Sequence, residues 1–295
     1  MSELMTSPRR WSCLDQFSLE ATARDMPALA QAAPELAPGT VVAIPFLPGE
    51  SDAARLEAAA RVRALGFTPM PHLAARHLPS RAALLRLLEG WRAGAGVERL
   101  LVLAGDRADP RGPYQDALSL IETGLLAAHG VRQVVISGYP EGHPRLSDAC
   151  LARAMRDKLA ALAAQGLAAE IATQFGFSAP PVLAWLAALR MAGVEVPVRL
   201  GLPGPANMRT LLRYAALCGV SASASVLARY GVSLNRLRSH AGPQWLVRQL
   251  ADELTPERHG AVLAHFYPFG GIASLTGWLA RQRFIDFPLP EARCS

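Results

Sequence analysis

Leu100-Leu101-Val102-Leu103-Ala104-Gly105-Asp106, then the Ala/Leu-rich stretch from Tyr114 to His129 closed by Gly130, then Gln133-Val134-Val135-Ile136-Ser137-Gly138 decide the fold. Each aliphatic run is too short for a buried helix and long enough for a buried strand. The stretch between them has helical period and ends on glycine, as helix C-termini prefer. Two such strands joined by a helix are parallel, because antiparallel neighbours need only a short turn. The same unit recurs in both directions. Upstream lie Phe17 to Glu20, Thr40 to Ile44 and Phe67 to His72; downstream lie Glu170 to Thr173, Val196 to Leu200 and Leu263 to Phe266. Helices are predicted over Ser51 to Ala64, Arg81 to Ala93 and Leu146 to Gln165, the first with a serine cap and Asp52 in its first turn. The strands carry few polar interruptions, as expected when both faces are covered.

Eight alternations in 295 residues predict an α/β protein, a (β/α)8 TIM barrel. A doubly wound open sheet shares the alternation and is the second architecture it allows. Residues 221–255 depart from the repeat and read as an insertion between strands seven and eight that borders the site. Residues 1–14 read as an N-terminal extension. No linker-like stretch divides the chain, so residues 1–295 are expected to form one domain.

Composition narrows the function classes. At 51% hydrophobic and 18% charged, the chain has ample material for a core, which excludes general disorder. Arg190, Glu195, Arg209 and Arg213 interrupt the apolar stretches before a bilayer span is reached, and no apolar run follows Arg9 and Arg10 as in a secretory signal. A cytoplasmic protein that meets no membrane is expected. The net charge of +6 raises nucleic-acid binding, but Lys158 is the one lysine among 30 basic residues and the arginines run from Arg9 to Arg293 without clustering. No nucleic-acid partner is expected. Cys13, Cys150, Cys218 and Cys294 form no CxxC pair and read as reduced, mostly buried thiols, with no metal site. A homo-oligomer is compatible with the sequence.

In such a barrel, chemistry sits at the C-terminal ends of the strands. The predicted strands run there into Glu20, His72, Gly105-Asp106, the loop Gly138-Tyr139-Pro140-Glu141-Gly142-His143-Pro144, Gln174-Phe175, and Tyr267-Pro268-Phe269. Each has a plainer role as well. Glu20 suits the start of a helix, Asp106 a turn, His72 a structural histidine, and Gln174 a loop amide. Two prolines and two glycines give the 138–144 loop an unusual backbone that presents Glu141 and His143. Several chemistries are missing. No GxGxxG follows a strand, no Walker loop or GxSxG elbow occurs, and Lys158 lies mid-helix, away from any strand end.

The succession Phe17-Ser18-Leu19-Glu20, Pro71-His72-Leu73, Leu103-Ala104-Gly105-Asp106, the Tyr-Pro-Glu-Gly-His-Pro loop and Thr173-Gln174-Phe175 resembles the methylenetetrahydrofolate reductase family over roughly residues 15 to 282. The resemblance implies reduction of 5,10-methylenetetrahydrofolate to 5-methyltetrahydrofolate with NADH or NADPH, a step in one-carbon metabolism and methionine biosynthesis. It implies that Glu20 is the acid protonating the folate nitrogen as its ring opens. Asp106 then contacts the pterin and balances the cation, and the two catalytic carboxyls share a cavity. Gln174 hydrogen-bonds the pterin, and Phe175 and Tyr214 complete the substrate site. His72, Tyr114, Tyr139, Glu141 and His143 fall at cofactor positions.

Typical members hold FAD, but here Ala104 stands where arginine is usual. The helix before Gly166 lacks the expected lysine, Pro45 replaces a small hydroxyl residue, and the eighth strand end lacks its arginine. Removing cations from a pyrophosphate site weakens it, so the resemblance leaves FAD open beside direct transfer from nicotinamide to folate. The alternative from another class is a non-redox folate-binding or one-carbon partner protein on the same barrel.

Overall fold

The computed structural model describes residues 11–47, 49–218, 220 and 242–286. Eight parallel strands close into a barrel in sequence order. They are β1 (Ser18–Glu20), β2 (Val41–Ile44), β3 (Thr68–Ala74), β4 (Arg99–Leu103), β5 (Gln133–Gly138), β6 (Ala168–Phe175), β7 (Val198–Pro203) and β8 (Val262–Tyr267). β1 pairs with both β2 and β8, so closure is complete and the open sheet is set aside. The helices between the strands are α1 (Met26–Ala32), α2 (Asp52–Ala64), α3 (Arg81–Ala95), α4 (Ala117–Ile121), α5 (Leu125–Ala128), α6 (Asp148–Ala164) and α7 (Ala179–Met191). Between β7 and β8 lie α8 (Met208–Cys218), α9 (Gln244–Glu253) and α10 (Pro256–His259), and α11 (Ile272–Asp286) closes the chain. Of the expected insertion, residues 221–241 lie outside the described residues. So do residues 1–10 of the N-terminal extension; its remainder is packed down, with Cys13 buried and Trp11 Nε1 donating to Val262 O at 3.0 Å.

Local chemistry sets the boundaries. Ser51, Ser80 and Ser147 cap α2, α3 and α6 by accepting from the backbone N–H three residues on. The stretch Tyr114 to His129, expected as one helix, is two. Asp116 caps a later start at Ala117, and Gly124, with φ of +69°, breaks the run after Glu122.

Two layers of side chains leave the strands. Outward residues such as Leu19, Val42, Leu100, Val134, Ile171, Leu200 and Phe266 join the main core under the helices. Inward, a small apolar cluster of Ala43, Met70, Leu101, Val135 and Ala172 fills part of the barrel. Among the other inward positions are Ser18, Glu20, His72, Arg99, Glu170, Arg199 and His265, polar groups that the near-continuous apolar reading of the strands did not foresee. Contacts that skip a strand place them in the lumen. Arg99 of β4 meets Glu170 of β6, Arg199 of β7 meets Ser18 of β1, and Glu20 of β1 meets His72 of β3. Glu170 accepts from Arg199 Nε at 2.7 Å and from Arg99 Nη1 at 3.3 Å, so the buried carboxylate is matched by two cations.

The thiols correct a second expectation. Cys13 is buried, but Cys150 and Cys218 are exposed, and none of the three is in a disulfide; Cys294 lies outside the described residues. Among the described residues no helix is long and apolar enough to cross a membrane, and no cluster of three His, Cys, Asp or Glu could hold a metal ion.

Candidate functional site at the barrel mouth

Glu20 is the last residue of β1, and its carboxyl points into the mouth between two imidazoles. His72 Nε2 lies 3.6 Å from Glu20 Oε1 and His265 Nε2 lies 3.8 Å from the same atom. Both imidazole nitrogens are buried and have no hydrogen-bond partner, Glu20 lying just beyond hydrogen-bond reach of each. Burial holds the His72 pKa down at about 4, against the pull of Glu20 and with help from His265 and Arg55. His72 is therefore neutral near pH 7. Its strand is fixed from behind, where the Arg55 guanidinium donates to the His72 carbonyl and lies over Phe46 and Trp91.

Two further groups share this space. Cys218, at the end of α8, is an exposed residue whose thiol lines the cleft, and Tyr267 ends β8; both have their pKa raised, first by partial or full removal from water and then by the Glu20 charge. The Tyr267 hydroxyl donates to Thr173 O at 3.1 Å, tying β8 to β6.

Asp106 follows β4 at the same barrel end but lies on the exposed rim. Its Oδ1 is 2.5 Å from His77 Nε2, and that hydrogen bond is the main cause of its lowered pKa. Each expected catalytic carboxyl thus sits against histidine, Glu20 in the mouth and Asp106 on the rim. Gly105 makes the rim contact fit: its φ is +92°, and a Cβ there would come within 2.9 Å of the His77 ring.

Tyr139, Glu141, His143, Gln174, Phe175 and Cys218 line one cleft between the β5 and β6 ends. Tyr139 and His143 pack edge to face at 5.1 Å, and His143 Nδ1 accepts from Arg145 N, which leaves its proton on Nε2. Glu141 folds over Gly176, where a Cβ would meet its carboxylate at 2.6 Å, and burial raises its pKa. Phe175 is buried in an aromatic group with Phe177, Tyr267 and Phe269. Tyr214 stacks on Phe269 at 4.2 Å and 15° and so belongs to this wall. Tyr114 does not reach it: the ring is 5% exposed and packed in the main core.

A second cavity, of about 390 Å³, lies on the β2–β4 side and is lined by His77, Arg55, Arg107 and Arg111. The first cleft has no arginine or lysine among its lining residues, whereas the second sets three arginines beside Glu50 and Asp52.

His265, Ser18, His77 and Cys218 were not singled out as site residues from the sequence, and Tyr267 only as part of the eighth strand end. For His265 and Ser18 the signal was present as lone polar residues alternating with apolar ones in a strand, the period of a polar lumen.

The architecture defines a (β/α)8 barrel with a carboxyl–imidazole site at the C-terminal mouth and aromatic and basic walls on opposite sides of it. Residues 41–267 match the sequence model described as methylenetetrahydrofolate reductase, and the chain belongs to that family. Among solved structures it is similar to an uncharacterized protein from Clostridium thermocellum that binds two copies of 5-methyl-5,6,7,8-tetrahydrofolic acid. That match has 11% identity and a TM-score of 0.61, covering 92% of this chain and 98% of that one. Dihydropteroate synthase from Thermus thermophilus matches at 17% identity and a TM-score of 0.48, over 90% of this chain and 95% of that one.

Proposed function

We propose that this protein reduces 5,10-methylenetetrahydrofolate to 5-methyltetrahydrofolate, with NADH or NADPH as hydride donor. The observation that carries the reading is the Glu20 carboxyl held at the mouth between two buried imidazoles, in a chain of this family. Glu20 gives its proton to the folate nitrogen as the five-membered ring opens. The methylene-iminium cation so formed takes hydride from the nicotinamide, which leaves oxidised. One proton and one hydride enter and one methyl group results. Gln174 and the aromatic wall of Phe175, Tyr214 and Phe269 suit a flat polar heterocycle, and Asp106, kept ionised by His77, supplies a negative rim charge.

A flavin pyrophosphate fits the β5–β6 cleft poorly. It needs cationic partners, and the cleft offers Glu141 instead, with no lysine or arginine. We therefore propose direct transfer between nicotinamide and folate, with Arg107 and Arg111 in the second cavity meeting the anionic end of either molecule. A second reading, folate binding without redox chemistry, is favoured by the Clostridium thermocellum barrel, which binds 5-methyltetrahydrofolate. One experiment separates them: anaerobic incubation with methylenetetrahydrofolate and each nicotinamide, no flavin added, with product analysis and a visible spectrum. The proposal expects 5-methyltetrahydrofolate matched by oxidised nicotinamide and no flavin band. Folate binding without nicotinamide oxidation supports the second reading, and activity that appears only with added FAD refutes direct transfer.

A further inference from the structure

The lumen polar groups form more than a structural plug. From the N-terminal half of the barrel, Arg199 Nη1 donates to Gln16 O at 3.0 Å and to Ser18 Oγ at 3.3 Å, while its Nε is held by Glu170. Gln16 carries φ of +47°, a left-handed backbone that a glutamine adopts at a cost, in the turn that offers its carbonyl to Arg199. Ser18 Oγ is 2.8 Å from His265 Nδ1 and 3.5 Å from Ala264 O. Parallel register places Ser18 directly beside His265.

Direction follows from what each group can do. A guanidinium only donates, so Ser18 Oγ accepts from Arg199 and keeps its own proton to give. Of its two acceptors, the imidazole nitrogen is at a normal hydroxyl distance and the carbonyl at the outer limit, so the proton goes to Nδ1. A neutral imidazole that accepts at Nδ1 carries its proton on Nε2. That nitrogen is buried, and 3.8 Å away, within a small rotation of the carboxyl, is Glu20.

We propose that Arg199, Ser18 and His265 form a one-way hydrogen-bond chain that fixes His265 as the Nε2–H tautomer and aims that proton at Glu20. His265 and Ser18 are thus positioning residues. The inference rests on the reductase reading only for its use: an acid that has given its proton to folate becomes a carboxylate, and an aimed N–H stabilises that product. Other groups also surround Glu20. His72 faces it from β3 at 3.6 Å, β2 presents uncharged Ala43, and Tyr267 spends its hydroxyl on Thr173 O. Cys218 of α8 has its pKa raised by the Glu20 charge, so it stays a neutral thiol beside the carboxylate.

The test is NMR on the whole protein, without turnover. Imidazole ¹⁵N shifts, with His265 assigned by loss of its signals in His265→Gln, are expected to show a bare Nδ1 and a protonated Nε2. The ¹³C-carboxyl titration of Glu20, assigned by Glu20→Gln, is expected to move up by about one pH unit in His265→Leu and in Ser18→Ala, because a donor to the charged form has been lost. His265→Gln, whose amide N–H reaches the Nε2 position, is expected to restore the wild-type midpoint. A proton on Nδ1 in the wild type, or an unmoved Glu20 midpoint in Ser18→Ala, overturns the chain. A wild-type protein with the expected tautomer that turns over no methylenetetrahydrofolate overturns the reductase reading and leaves the chain standing.

Discussion

Replacing Glu170 by leucine removes the one carboxylate between Arg199 and Arg99 in the barrel lumen. Glu170 and Arg199 are both almost fully buried and joined at 2.7 Å, so the substitution leaves a desolvated guanidinium facing an apolar side chain. Breaking a buried pair from one side costs about 3–5 kcal/mol. Arg99 is a fifth exposed, is screened by solvent, and adds little to that figure. Arg199 keeps Gln16 O and Ser18 Oγ, which places the expected loss nearer the lower value, about 3 kcal/mol. For a chain of this length that corresponds to a drop in Tm on the order of 6–10 °C. Urea unfolding followed by circular dichroism at pH 7, with a thermal scan beside it, measures both. The companion variant Glu170→Leu/Arg199→Met/Arg99→Met removes all three charges and is expected to recover to within about 1–2 kcal/mol of wild type. A single variant within about 1 kcal/mol of wild type, or a triple variant weaker than the single, would falsify the claim that the lumen triad is electrostatically closed.

The neutral state of His72 makes stability fall in acid. With a folded pKa of about 4 against 6.5 unfolded, the native state binds fewer protons between those values. His72 stability is therefore complete above pH 6.5 and lost as pH falls to about 4. At about 1.4 kcal/mol per pH unit this amounts to about 3 kcal/mol. Denaturant midpoints at pH 7 and pH 4.5 should diverge in the wild type and converge in His72→Gln; parallel behaviour of the two would contradict the assignment. Gly105→Ala is expected to cost about 1–3 kcal/mol, because alanine resists a positive φ and its methyl group strikes His77. The same change frees Asp106 from His77, so a carboxyl titration by NMR should show its pKa rising; an unchanged value would contradict the rim contact. Asp106→Asn is expected to weaken folate binding and slow turnover together, by roughly tenfold or more each, as read by calorimetry and steady-state rates. A variant that alters neither removes Asp106 from the site.

The barrel was legible because each strand is a short aliphatic run and each connection carries helical period. All eight expected strands fall on observed ones, with ends coinciding or differing by up to three residues. The largest gain in length is in β6, which runs from Ala168 to Phe175 through an irregular pairing with β7 between Ala172 and Phe175. Side-chain registers were harder to see. Outward residues of a closed barrel are apolar and dominate the eye, whereas Ser18, Arg99, Glu170, Arg199 and His265 occupy alternate positions whose partners lie on other strands, far away in sequence. Pairing across a lumen depends on closure and shear, which no local pattern carries. The split of Tyr114 to His129 was readable in principle, since Asp116 with Ser119 is a capping pair and Gly124 a breaker. Of the nominated site, Glu20, His72 and the 139–143 loop are at the mouth because strand ends announce themselves. Tyr114 was nominated by resemblance alone, and packing took its ring into the core.

Turnover of methylenetetrahydrofolate by Glu20→Gln, measured beside the folate dissociation constant of the same variant, bears most directly on the proposed chemistry. Glutamine keeps the shape of the side chain and cannot yield the proton, so the rate should drop roughly a hundredfold or more while affinity barely moves. Wild-type turnover in that variant would contradict the assignment of Glu20 as the acid.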